Sequence, residues 1–254
     1  MLAAQRRSLI LEKAYREKRV IVGELSKEFG VSEETIRRDL ERLEEEGHVT
    51  KEYGGAVVSE KSGIDLPFNI RRQSNPLGKQ KIAELICSQL NKGEHIFLDA
   101  STTAVFIAKN IKPLEGLTVI TNSIENIVEL ADAPSIEIIS TGGKLNIGSM
   151  SLLGRKAADS ISEYNVDKVI MSCKGFDTVK GISDGNDETS SIKRNMIEAA
   201  EKVYLAVDST NFGKTAFSKI CDISEIDIVV TDKKPNDMWI EYLKANNVEC
   251  IYPE

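Results

Sequence analysis

Histidine and cysteine are scarce in this sequence, which has two histidines and four cysteines among its 254 residues. The cysteines, at positions 87, 173, 221 and 250, fit neither a CxxC metal-binding motif nor a compact disulfide framework, so we expect buried thiols. His48 and His95 fall in different predicted elements, which argues against a histidine-based metal site or catalytic triad. The sequence predicts no metal site, no catalytic residue and no cofactor.

Long apolar runs are also missing. No run approaches the roughly 18 to 20 residues of a membrane span. The beginning of the sequence places Arg6 and Arg7 before only three apolar residues, Leu9–Leu11, and so lacks the core of a signal peptide. We therefore expect a cytoplasmic protein with no membrane partner.

An excess of basic residues is missing as well. The net charge is −7, and residues 1–57 carry 11 basic against 12 acidic side chains. This balance excludes a protein that coats nucleic acid through general positive charge. A sequence-specific DNA reader is not excluded, because such a protein depends on where its cations lie more than on their total.

Residues 31–40, VSEETIRRDL, are typical of a helix that lies in the major groove of DNA. Ser32 is a good N-cap, and the glutamates that follow it complement the helix dipole. At 100° per residue, Ile36 and Leu40 share one face while Arg38 and Arg42 point away from it. A short helix over 22–29 and a turn at Gly30 precede this segment, which is helix-turn-helix spacing.

The residues around this helix predict a winged helix-turn-helix. Residues 4–18 form an amphipathic scaffold helix, and residues 20–22 form a short β-branched strand. Residues 47–57 have glycines on both sides of a β-prone run, as a two-stranded wing does. The candidate DNA contacts are Ser32, Thr35, Arg37, Arg38, Arg42, Lys51 and Tyr53.

Residues 6–57 resemble the N-terminal head of the DeoR family of bacterial sugar-responsive transcription regulators. The resemblance rests on the VSxxTIRRDL helix and the Gly-Gly wing, and it implies that double-stranded operator DNA is a partner. Tyr53 departs from the family, which commonly has histidine before Gly-Gly. In the competing interpretation, the arginines merely form solvated ion pairs with Glu34, Asp39 and Glu41.

Residues 58–76 are polar and punctuated by prolines and glycine, which predicts an interdomain linker. Residues 77–254 begin with a helix near 78–91 and then alternate short β-rich runs with helical stretches. This alternation predicts a mostly parallel α/β sheet covered by helices on both faces. The predicted strands are residues 96–98, 117–120, 136–139, 166–170, 203–207 and 226–230.

Polar residues follow several of these strands, at the edge of the sheet where ligands of α/β proteins bind. The segment from Asp99 to Thr103 opens a helix, so its amides and hydroxyls can enclose a phosphate. Capping and turn chemistry are the alternative role of each residue taken alone. The candidate effector contacts are Asp99, Ser101, Thr102, Thr103, Thr121, Asn122, Gly142, Lys174, Asp208 and Lys214.

This second part also resembles the DeoR effector domain, which is similar in fold to sugar-phosphate isomerases and implies a phosphorylated sugar as effector. Ser101 stands where the family often has glycine, and Asn211 where it has lysine; Lys214 is a possible replacement for that charge. The leading hypothesis is a repressor of a sugar-metabolism operon that acts as a homo-oligomer. The alternative is an isomerase-like enzyme, with bases among Asp99, Asp177, Glu188 and Asp208, but no spacing fixes a working carboxylate pair.

Overall fold

The computed structural model describes residues 1–59 and 67–253 and divides the chain into two compact units. Unit 1 spans residues 1–73, and unit 2 spans residues 74–254. Among the described residues, no helix has both the length and the apolar character needed to cross a membrane.

Unit 1 is a winged helix-turn-helix, as the sequence predicts. Its three strands form an antiparallel sheet in the order β1-β3-β2, so the segment after the first helix pairs with the wing. Gly55 is required there, because a Cβ atom at this position would lie 2.1 Å from the carbonyl oxygen of Val20. The elements are α1 (Ala3–Glu17), β1 (Arg19–Ile21), α2 (Val22–Phe29), α3 (Glu33–Glu45), β2 (Val49–Glu52), β3 (Gly55–Val58) and α4 (Phe68–Gln73).

The structure differs from the sequence-based expectation within the predicted linker, residues 58–76. Val58 ends strand β3, and residues 68–73 form α4, in which Phe68 and Ile70 are buried. Ile70 belongs to the hydrophobic core of unit 1. Residues 60–66 of the linker lie outside the described part of the chain. Ile70 therefore attaches residues 68–73 of the predicted linker to unit 1.

Unit 2 is built on a seven-stranded, fully parallel sheet in the order β15-β14-β12-β9-β4-β5-β6. Its strands are β4 (His95–Leu98), β5 (Leu117–Thr121), β6 (Ile136–Ser140), β9 (Val166–Met171), β12 (Ala200–Ala206), β14 (Ile228–Val230) and β15 (Glu249–Ile251). The sequence analysis missed β15 and extended the run at 226–230 by two residues at its start.

Two smaller antiparallel elements lie outside the large sheet. Strands β7 (Lys144–Asn146) and β8 (Ser151–Leu153) form a hairpin, and β10 (Gly175–Asp177), β11 (Gly181–Asp184) and β13 (Ser218–Cys221) form a three-stranded sheet. The helices are α5 (Pro76–Cys87), α6 (Thr102–Ile111), α7 (Ile124–Leu130), α8 (Arg155–Ile161), α9 (Asp187–Glu198) and α10 (Asp237–Ala245). Helix α5 ends four residues before the predicted end at 91.

Side chains of the parallel strands alternate between two hydrophobic cores, one on each face of the sheet. In β4, Phe97 belongs to one core while Ile96 and Leu98 belong to the other. Because successive residues of a strand point to opposite faces, both faces must be covered by helices. Helices α8, α9 and α10 contribute to the first core, and α5, α6 and α7 to the second. Both faces of the parallel sheet are therefore covered by helices.

A buried ion pair attaches α3 to α1 in unit 1. The Nε atom of Arg6 lies 2.6 Å from Oδ2 of Asp39, with side chains only 9% and 4% exposed. The competing interpretation of the sequence counted Asp39 among solvated surface partners, and this is wrong. Asp39 lies on the side of α3 that also buries Ile36 and Leu43, so its charge needs a partner inside unit 1.

We expect Asp39→Ala to destabilise unit 1 by about 3–5 kcal/mol, because it leaves the Arg6 guanidinium buried without its counter-ion. Denaturant unfolding of a fragment spanning residues 1–73 measures the loss. The matched control is Glu17→Ala, which breaks the exposed Arg16–Glu17 pair and is expected to cost less than about 1 kcal/mol. Equal losses in the two variants would contradict a structural role for Asp39.

Candidate functional site

The outward face of α3 is set by its N-cap and its buried side. The Oγ atom of Ser32 accepts a hydrogen bond from the Thr35 amide at 3.2 Å and lies 2.9 Å from the Thr35 hydroxyl, which fixes the first turn. Ile36 and Leu40 are buried, which leaves Arg38 exposed. The sequence pattern therefore orients this helix as predicted.

Each cation of this face has a carboxylate partner in the free chain. Arg37 lies 2.6 Å from Glu33, and Arg38 lies 3.4 Å from Glu34. Arg42 contacts Glu45 at 3.0 Å and Glu46 at 3.2 Å. Exposed pairs of this kind contribute little stability, so an anionic partner can replace the glutamates at small cost.

The wing adds one cation and one aromatic ring. The Nζ atom of Lys51 lies 2.9 Å from Glu41 of α3, and the Lys51 amide donates to Glu44 at 2.7 Å. These contacts hold the wing beside α3. Tyr53 stands at the wing turn with its side chain fully exposed. The structure thus brings Lys51 to α3, while Tyr53 projects from the tip.

In unit 2, the loop after β4 is organised by Asp99. This carboxylate is 1% exposed and accepts the amides of Ser101 and Ser172, each at 3.0 Å. Ser101 in turn caps α6 by accepting the Ala104 amide at 3.1 Å. The amides of the first helical turn, which includes Thr102 and Thr103, have no partner inside the helix. Asp99 therefore positions the start of α6, with its own carboxylate directed at the amides of Ser101 and Ser172.

A buried lysine that the sequence analysis missed closes this edge. The Nζ atom of Lys193, in α9, lies 2.6 Å from the Ser172 carbonyl, 2.7 Å from Asp184 and 3.1 Å from Asp99. An ammonium group has three N–H donors, so these three acceptors match its capacity. Asp184 also lies 3.3 Å from Lys174, whose side chain is 26% exposed. Asp99, Asp184, Lys174 and Lys193 form one cluster of charges, and Lys174 is the lysine of this cluster that contacts solvent.

The charges of this cluster shift the pKa values of its members in opposite directions. Burial raises the pKa of a carboxyl group, but the charges of Lys193 and Lys174 outweigh it and lower the pKa of Asp184 from 3.8 to about 2. Burial lowers the pKa of the Lys193 ammonium, but Asp184 and Asp99 outweigh it and raise that pKa above its ordinary value. Asp184 and Lys193 are therefore both ionised at neutral pH.

Thr121 is the last residue of β5 and Asn122 follows it, and protein contacts satisfy their side chains to different extents. The Thr121 hydroxyl donates to the Leu98 carbonyl at 2.6 Å and accepts from the Ser123 amide and the Asn126 side chain, both at 3.1 Å. This leaves it no hydrogen-bonding capacity for a ligand, contrary to the sequence-based expectation. Asn122 donates to the Leu152 carbonyl at 3.1 Å, while its Oδ1 atom is buried with no partner within residues 1–59 and 67–253. That oxygen can accept from a ligand hydroxyl.

The remaining candidates lie on loops around the same edge. Gly142 is exposed, and the neighbouring Thr141 amide donates to the Thr121 carbonyl at 3.1 Å. Asp208 accepts the amide and hydroxyl of Thr210 at 2.9 and 2.5 Å. Lys214 is exposed, and its carbonyl oxygen lies so near Gly175 that a Cβ atom there would be only 2.7 Å away. The main chain of Lys214 is therefore placed beside Lys174.

Asn211, which stands where the DeoR family has lysine, has a structural contact. Its side-chain Nδ2 donates to the Cys173 carbonyl at 2.8 Å, and its own carbonyl accepts the Phe176 amide at 3.1 Å. The amide side chain therefore fixes the 208–213 loop against the strand that begins at Gly175.

Three of the four carboxylates considered as catalytic bases are engaged elsewhere. Asp99 is held by Lys193, and Asp208 by Thr210. Asp177 accepts the amides of Val179 and Lys180, both at 2.9 Å, and these bonds lower its pKa. Glu188 lines a cavity of about 310 Å³ between the starts of α8 and α9.

Both units match known protein families. The profile of the DeoR-like helix-turn-helix domain matches residues 6–62, and that of the DeoR C terminal sensor domain matches residues 74–233. The chain is 38% identical over 249 residues to the uncharacterized HTH-type transcriptional regulator YulB of Bacillus subtilis, covering 98% of this chain and 96% of that protein. It is 32% identical over 254 residues to the HTH-type transcriptional repressor GlcR of the same organism, covering 100% and 98% respectively.

Among solved structures, ribose 5-phosphate isomerase A of Methanocaldococcus jannaschii is similar over 53% of each chain. The TM-score is 0.40 and the sequence identity is 14%.

The lowered pKa of Asp184 predicts a specific loss of stability in acid. Because its folded pKa of about 2 lies below the ordinary 3.8, this contribution is complete above about pH 4 and is lost as the pH falls towards 2. Its size is about 2 kcal/mol. We expect the free energy of unfolding of unit 2 to fall more steeply between pH 4 and 2 in the parent than in Asp184→Asn, as measured by urea unfolding. Parallel pH profiles would contradict the ionised cluster.

Proposed function

This chain belongs to the DeoR family of transcriptional regulators, and we propose that it represses a sugar-metabolism operon by binding operator DNA under the control of a phosphorylated sugar. The chain is a DNA-binding regulator and not an enzyme. Its DNA partner makes the cytoplasm the proposed location. One observation carries the proposal: the same chain contains α3 with its exposed arginines and, in unit 2, a sheet edge where strands end in polar residues and lead into helices.

The proposed DNA contacts divide into two groups. Arg38 points directly away from the buried face of α3, so we assign it to a guanine edge in the major groove. Ser32, Thr35, Arg37, Arg42, Lys51 and Tyr53 surround that position and are assigned to the sugar-phosphate backbone. Phosphate contacts fix the register of the helix, whereas base contacts carry specificity.

The proposed effector site combines donors for a phosphate with an acceptor for a hydroxyl. The amides of Thr102 and Thr103, which have no partner inside α6, suit a phosphate group together with the hydroxyls of Ser101, Thr102 and Thr103. Lys174 provides positive charge at the same edge, and Lys214, whose main chain lies beside Gly175, is assigned as a second cation. The Oδ1 atom of Asn122, buried without a partner among the described residues, suits a hydrogen-bond donor, and the hydroxyl groups of a sugar supply such donors. This combination supports a sugar phosphate as the ligand.

Thr102→Asp tests the phosphate position. Thr102 is the first residue of α6, and a carboxylate there would repel the phosphate at close range. We expect the variant to bind operator DNA like the parent in the absence of ligand, but to show no rise in melting temperature with any sugar phosphate that stabilises the parent. Thr102→Ser, which keeps the hydroxyl, is the control and should retain the rise. An undiminished rise in Thr102→Asp would place the ligand elsewhere.

We also propose that the chain acts as a homo-oligomer, since one winged helix covers little DNA and operators usually contain symmetric half-sites. Tethering two heads raises the effective concentration of the second. A fragment of residues 1–73 should therefore bind a duplex with two half-sites about 100-fold more weakly than the full chain. On a duplex with one half-site the two proteins should bind alike. Equal affinities on the two-half-site duplex would contradict oligomeric binding.

A further inference from the structure

Glu34 occupies the same outward direction of α3 as Arg38. At 100° per residue, the two side chains each lie about 20° from the direction opposite Ile36, one on either side. Both are exposed, 63% for Glu34 and 76% for Arg38, and Oε1 of Glu34 lies 3.4 Å from Nε of Arg38. Any DNA that Arg38 contacts through its bases therefore also faces the carboxylate of Glu34.

A carboxylate on a DNA-facing surface has few favourable partners. It is repelled by phosphates, and in the major groove only the amino groups of cytosine N4 and adenine N6 donate hydrogen bonds. The first turns of a recognition helix are the part that contacts base edges, and Glu34 is the second residue of α3. A glutamate at this place is costly to binding unless a base amino group satisfies it.

We propose that Glu34 is a specificity-determining residue that accepts a hydrogen bond from a cytosine amino group in the major groove. The inference rests on DNA reading by α3. On binding, the Glu34–Arg38 pair of the free chain separates, and each charge takes a complementary base edge. Splitting an exposed pair one helical turn apart costs little, so the exchange is favourable where the bases match and unfavourable elsewhere.

The other glutamates of α3 do not share this arrangement. Glu33 is turned towards the flank, where it lies 2.6 Å from Arg37. Glu41 and Glu44 are both held by Lys51 of the wing, Glu41 at 2.9 Å from its Nζ atom and Glu44 at 2.7 Å from its amide. Glu45 is the last residue of α3 and contacts Arg42 at 3.0 Å. Glu34 is therefore the acidic side chain that is both near the helix start and directed at the groove.

Selection of binding sites from a random duplex library tests the proposal, with the full chain and the variants Glu34→Gln and Glu34→Ala. The parent is expected to select a site containing a cytosine that Glu34→Ala no longer prefers, while all other positions stay the same. Glu34→Gln should prefer adenine there, because a glutamine amide matches the adenine N6 and N7 edge. On the parent site, replacing that cytosine should weaken the parent about tenfold and Glu34→Ala hardly at all.

Glu45→Gln is the matched control, since it removes the same charge from an exposed site at the far end of the same helix. It should raise affinity for every sequence alike and leave the selected site unchanged. Thermal melting checks that all variants fold, as expected for side chains outside the core. If Glu34→Ala selects the parent site with every base preference intact, the proposal is overturned. If the parent chain selects no site at all, DNA reading by α3 fails and the proposal fails with it.

Discussion

The edge of unit 2 at which the parallel strands end, which is the proposed effector site and is called the sensor edge, depends on one buried ammonium group. Lys193 reaches from α9 to the end of β9 through Ser172, to the loop after β4 through Asp99 and to the end of β11 through Asp184. Three elements distant in sequence are thus held within hydrogen-bonding distance of one atom. Because removing one partner of such a cluster leaves charges buried without compensation, the geometry of the edge is tightly specified. The start of α6 is placed by the same network, through the bond from the Ser101 amide to Asp99.

Unit 1 also contains a buried ion pair, which orients helix α3. The buried Arg6–Asp39 pair fixes the inner side of α3, while loose, exposed pairs cover its outer side. The inner pair resists exchange because its charges are desolvated, whereas the outer pairs are easily replaced by DNA. This division explains how a head with slightly more acidic than basic residues serves as a DNA reader. The arginines of α3 already lie on its exposed side, where glutamates neutralise them until an anionic partner replaces those contacts.

The sequence predicted the features that depend on local pattern. The cap at Ser32, the outward direction of Arg38 and six strands of the parallel sheet follow from capping chemistry and hydrophobic period. The Lys193 cluster was missed because Asp99 precedes Ser172 by 73 residues and only the pairing of β4 with β9 brings them together. A lysine within a helix otherwise looks like a solvated side chain. Thr121 was assigned to the ligand because a hydroxyl at a strand end does not reveal that Leu98, Ser123 and Asn126 already saturate it.

If a sugar phosphate at the sensor edge controls DNA binding, an equilibrium titration detects the coupling between the two ligands. The full chain is titrated onto its selected duplex with and without a saturating sugar phosphate that raises its melting temperature. We expect the dissociation constant for DNA to change by about 5- to 150-fold, the usual range of coupling between two sites. DNA should change the affinity for the sugar phosphate by the same factor. A dissociation constant for DNA that stays the same with the sugar phosphate bound would show that the two sites are not coupled.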